Sequence, residues 1–160
     1  MDASIEDTHP TITGPYVNKV RIVATMDPIP IRIARCIPST ISNEECHHLA
    51  VVACRNACIA MDVVRKRLDS KMLERYLKPE LIERLLTFSK LLHQSRPKKG
   101  FVKDELRHMP VVPQQIHGLL VGPETYEISV CFSIGESHYW ANVVLQIEHG
   151  RWRCSLLDIG

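Results

Sequence analysis

Thr125-Tyr-Glu-Ile-Ser-Val-Cys-Phe-Ser-Ile134 is the stretch from which the fold can be read. Tyr126, Ile128, Val130, Phe132 and Ile134 alternate with Glu127, Ser129, Cys131 and Ser133. A period of two over ten residues predicts a strand with one face on a core. Gly135-Glu136 follows, with the glycine first, as a type II′ hairpin turn requires. Ser137 to Glu148 is the return strand, His149-Gly150 a second tight turn, and Arg151 to Ile159 a third strand. Gln114 to Val121 supplies another strand upstream.

Two-residue turns fix the register. Ile134 pairs with Ser137, so Phe132 faces Tyr139 and Val130 faces Ala141. Glu148 pairs with Arg151, so Ile147 faces Trp152 and Leu145 faces Cys154. Carried to the end of the chain, this register gives an inner face with Tyr126, Phe132, Tyr139, Val143, Trp152 and Leu156. The outer face then holds Cys131, Trp140, Asn142, Val144, Arg153, Leu157 and Ile159.

Helices precede the strands. Ser42 and Glu45 form a capping box, and Glu44 suits the positive end of a helix dipole. Ala50, Cys54, Ala57, Met61 and Val64 make a stripe at helical spacing, predicting a helix to about Leu68 with Arg65, Lys66 and Arg67 in its last turn. Pro79 suits the first position of a second helix, whose stripe is Leu81, Leu85, Phe88 and Leu92. Residues 94–112 read as a connector with a helical turn near Lys103 to His108. Residues 1–41 carry Pro10, Pro15, Pro28, Pro30 and Pro38 and read as a flexible or loosely docked arm, leaving 42–160 as one domain. The expectation is an α+β domain, with helices packed on a curved antiparallel sheet of about four strands. Such a layered domain resembles the cystatin-like or nuclear-transport-factor-like cone, a likeness that implies fold alone.

The chain of 160 residues is 45% hydrophobic and 24% charged, values of a globular domain. A net charge of +2 supplies no polybasic footprint for nucleic acid. No apolar run approaches the ~20 residues of a membrane helix. Met1 to Asp7 holds three acidic residues and no apolar core of a secretory signal, so a cytoplasmic address is expected. With that address, the six cysteines read as reduced thiols.

Residues 50–160 resemble an uncharacterised actinobacterial family whose genes lie beside that of SecA, the preprotein translocase motor. Leu73 to Leu85, with Tyr76-Leu77-Lys78-Pro79-Glu80 at its centre, carries part of the likeness, and Thr125 to Val130 another part. Its most specific piece is Gly150-Arg-Trp-Arg-Cys-Ser-Leu-Leu-Asp-Ile-Gly160. The family has arginines along the preceding strand, where this chain has His138, Asn142 and Gln146. The resemblance implies a cytoplasmic protein with a link to protein export and no assigned reaction.

Cys46, His47, His48, Cys54 and Cys58 cluster in the first helix, but zinc usually takes ligand pairs from two elements and no CxxC is present. Cys54 and Cys58 also fall on or beside the apolar stripe, where free cysteine packs as a small hydrophobe. No metal or cofactor is expected. No nucleophile motif appears. Arg96, Lys98, Lys99, Lys103 and Arg107 form a basic connector, diluted by Asp104 and Glu105. The leading expectation is a non-enzymatic interaction domain that binds a protein partner, of the secretion machinery by the resemblance, through Trp140, Val144, Arg153 and Leu157. Tryptophan and arginine are favoured interface anchors. Self-association through the same face would give a homodimer. The alternative is a small-molecule-binding or enzymatic cone with Tyr126, Tyr139 and Asp158, joined by His117, around a pocket between helix and sheet.

Overall fold

The computed structural model describes residues 11–95, 97 and 100–160. The acidic start of the chain with Pro10, and Arg96, Lys98 and Lys99 of the connector, lie outside the described residues. The elements run β1 (Tyr16–Val20), β2 (Ile29–Arg35), α1 (Asn43–Val64), α2 (Pro79–Gln94), β3 (Val112–Gly122), β4 (Thr125–Ile134), β5 (Ser137–Glu148) and β6 (Arg151–Ile159). The domain is α+β, as expected, but its sheet has six strands among the described residues rather than about four.

Strand order follows chain order. Neighbours are antiparallel except β2 and β3, which are parallel. A parallel pair needs a long crossover, and α1 and α2 provide it. They lie together on the inner face of the sheet.

The two extra strands come from the segment read as an arm. Ile31 and Ile33 of β2 pair with Ile116 and Gly118 of β3 and are fully buried, so 29–35 belongs to the core instead of docking loosely. Pro28 and Pro30 do not prevent this, because the β2–β3 ladder begins at Ile31 and asks no amide of them.

Serine 42 caps α1 as its sequence predicts, its Oγ accepting from the Glu45 amide at 3.0 Å. The buried side of α1 is built from Ala50, Cys54, Ala57, Ala60 and Met61, all fully buried. Small side chains let the helix sit close against the sheet. The helix stops at Val64, short of Leu68. Lys66 takes a left-handed φ of 61°, and the amides of Lys66 and Arg67 turn back to the carbonyls of Val63 and Asp62.

Arg65 therefore leaves the dipole-facing role expected of it and turns inward, 1% exposed. Its guanidinium pairs with Asp62 at 3.2 Å and donates to the carbonyls of Leu106 at 2.7 Å, Arg107 at 3.2 Å and Met109 at 2.5 Å. Burial lowers the Arg65 pKa and raises that of Asp62. The connector is thus held from inside, with Phe101 and Val102 also buried.

The C-terminal hairpins keep the predicted register. Ile134 pairs with Ser137, and Phe132 with Tyr139. Glu148 pairs with Arg151, and Leu145 with Cys154. Gly135 has a φ of 62°, and His149 and Gly150 have 51° and 74°, values that suit tight hairpin turns. One residue breaks the extrapolation beyond Cys154. Val144 pairs with Leu156, so Ser155 is the extra residue of a β-bulge. Every side chain after it changes face. Leu157 and Ile159, expected outside, are buried opposite Val143 and Ala141, while Leu156, expected inside, lies on the outer face.

Candidate functional site

Alternate residues of the central strands build the outer face. His117 and Leu119 come from β3, Glu127 and Ser129 from β4, and Trp140, Asn142 and Val144 from β5. Neither helix covers it. The Trp140 side chain is 39% exposed although its strand is third in chain order among the four C-terminal ones, flanked on both sides. Its ring meets the His117 ring edge-on, with centroids 6.2 Å apart, and it sits opposite the buried Cys131. The backbone of Trp140 is fixed by paired bonds with Gly160, at 3.0 and 2.9 Å.

Val144 is half-buried beside Glu127 and Leu156. Arg153 is exposed next to Gln146. Six residues of strand separate Trp140 from Gln146, ~20 Å at the usual rise. The face is therefore an elongated strip, with Trp140 near one end and Arg153, on the edge strand β6, near the other. Three of the four predicted contact residues share it. The fourth, Leu157, is 6% exposed in the core, and the bulge at Ser155 puts Leu156 in its place. Ser155 carries no sequence signal of a bulge, so alternation alone puts Leu156 on the inner face.

Near the indole, a shallow depression of about 310 Å³ is lined by Arg32, Ala34, His117, Leu119, Glu127 and Ser129. Ser129 donates to Asn142 across the strands at 3.0 Å. Arg32 reaches this face because β2 joins the sheet, a consequence of the parallel pairing that periodicity did not reveal.

The residues expected around an interior pocket do not converge. Tyr126 is fully buried, its hydroxyl donating to the Cys46 carbonyl at 3.0 Å. Burial raises its pKa well above that of a free phenol. Tyr139 lies six residues of strand away, opposite Phe132, with its ring edge-on to Phe101 at 5.1 Å. Asp158 is exposed on the opposite face beside Asn142, and His117 is there too. Helix α1, residues 75–77 and the sheet do form a partly open cavity, of about 170 Å³, at the β5–β6 end, away from Tyr139 and Asp158.

Among the described residues, no three His, Cys, Asp or Glu side chains gather as a metal site. His47 instead shares a hydrogen bond with Tyr16 at 3.1 Å, and Cys46 and Cys54 are buried. The Cys54 pKa is raised by its hydrogen bond with Cys58 and by burial. No described helix is long and apolar enough to cross a membrane. No protein-family model, curated protein or solved structure matches the chain.

Proposed function

We propose that this chain is a non-enzymatic protein-interaction domain whose partner docks along the outer face of the sheet. The carrying observation is the exposed Trp140 on a face that neither helix covers. Val144 and Leu156 continue its apolar strip, while Arg32 and Arg153 flank it with positive charge. The face also carries the exposed Glu127 and Asp158, so an apolar ridge with acidic groups opposite the arginines and basic groups opposite these carboxylates is the partner surface that complements it. The separation of Tyr126, Tyr139 and Asp158 supports binding over catalysis, because proton transfer needs groups within hydrogen-bond reach. The likeness of Gly150 to Gly160 to a SecA-neighbouring family directs the partner search to protein export in the cytoplasm.

The test compares native-lysate captures by wild type and by Trp140→Ala with Arg153→Glu, using Leu91→Ala on the exposed side of α2 as a control. A specific partner should be lost with the double variant and retained with the control. Equal recovery by all three baits overturns the reading. Sedimentation of the purified protein separates a foreign partner from a second copy of the chain.

A further inference from the structure

The cavity between α1 and the β5–β6 hairpin has a composition that selects a ligand. Ala53 of α1 and Val143, Leu145 and Leu157 of the sheet are its buried apolar surfaces. Trp152 forms a half-buried wall, steadied by its indole N–H donating to Glu45 Oε1 at 3.2 Å. The polar lining is different in kind. Arg75, Tyr76 and Arg153, all exposed, and the half-buried Asn56 line it as well. No acidic residue lines it among the described residues. The neighbouring Glu148 is occupied by Lys78 at 2.7 Å.

We propose that this cavity binds a small monocarboxylate whose apolar body is about the size of a benzene ring. Its volume of about 170 Å³ compares with the ~150 Å³ of an apolar cavity that accepts benzene. The head group then lies at the mouth, where guanidinium groups favour a carboxylate through charge-assisted, paired hydrogen bonds. A neutral head forfeits that term, and a cationic head meets two like charges. The cavity shares Arg153 with the outer face but does not involve Trp140, so Trp140→Ala, which should leave phenylacetate binding unchanged, separates the two readings.

Titration with phenylacetate and, separately, with 2-phenylethanol, followed by methyl and amide NMR, tests the proposal. Phenylacetate should give saturable shifts at Ala53, Val143, Leu145 and the Trp152 indole, with binding about tenfold tighter than the alcohol's, as a charge-assisted pair implies. Arg75→Gln with Arg153→Gln should weaken phenylacetate to the level of the alcohol and leave the alcohol unchanged. Ala53→Leu, which adds side chain inside the cavity, should abolish both. Absence of saturable shifts at these positions, equal affinity of the two probes for wild type, or undiminished binding by folded Ala53→Leu overturns it. The arginine pair is exposed, so it decides the matter even if Ala53→Leu does not fold.

Discussion

Gly118 sits in β3 opposite Ile128, and the space a side chain would occupy belongs to Tyr126. A Cβ there would stand 2.3 Å from the Tyr126 hydroxyl and 2.7 Å from the ring. Relief would require moving a fully buried ring that is anchored to α1 through Cys46. Gly118→Ala should therefore lose about 1–3 kcal/mol, the usual cost of overfilling a packed interior, read as a lower denaturation midpoint. Adding Tyr126→Phe should not restore stability, since ring carbons remain in the way. The tyrosine was legible as an inner-face residue from alternation alone. The glycine was not, because its requirement arises from a ring on the neighbouring strand. A pH effect also belongs at this scale. Burial pushes the Cys154 thiol up to about 11 from 9.0. Between those values the unfolded chain gives up this proton and the folded chain keeps it, so stability falls as pH rises through the window. Cys46, Cys54 and Cys131 are raised as well and act in the same direction. Urea unfolding at pH 8, 9.5 and 10.5 should show the decline, and Cys154→Ala should make it shallower.

At the scale of elements, the connector before β3 is held chiefly by Arg65 at the α1 C-terminus, with Arg67 sharing the Met109 carbonyl. Arg65 is a buried cation that serves three backbone carbonyls across more than forty residues of sequence. Replacing it with methionine takes the guanidinium away from the Leu106 and Arg107 carbonyls, while Arg67 still donates to Met109 and pairs with Asp62. Removing one member of a buried charged network typically costs about 3–5 kcal/mol. Arg65→Met should lower stability by this order and release amide exchange over 103–109, with α2 protected until global unfolding. Ser42→Ala gives a useful contrast, since losing an N-cap costs about 1 kcal/mol and should leave the connector unaffected. The Ser42 cap is legible in the sequence because capping is local, joining residues three apart. The inward turn of Arg65 is not legible there, because backbone carbonyls, unlike side chains, leave no mark of which distant cation they will receive.

The whole sheet shows where local rules stop. Tight turns determine the β4–β5 and β5–β6 registers, and those pairings follow from the sequence. The bulge at Ser155 and the addition of β1 and β2 do not, for different reasons. A bulge is a choice of packing: it brings Leu157 and Ile159 to the core and leaves Leu156 outside. The β2–β3 pairing spans the two helices, and its prolines disguise the strand while lying just before the ladder begins. Yet these two strands complete the core. Ile31 and Ile33 are 0% and 1% exposed, and burial of each contributes about 1.5–3 kcal/mol. Losing both removes an amount comparable with the lower end of the stability of about 5–15 kcal/mol typical of a domain. Removing residues 1–36 would also leave β3 as an eleven-residue edge beside unprotected Ile116 and Leu120, the kind of edge that recruits further chains. The truncated chain should lose its cooperative thermal transition and elute as large species in size exclusion. A monomer with a sharp transition and native near-ultraviolet dichroism would show that β3 to β6 and the helices form a sufficient core. Because the deletion also removes Arg32 from the outer face, partner capture by such a monomer would measure that flank's contribution separately from Trp140 and Arg153.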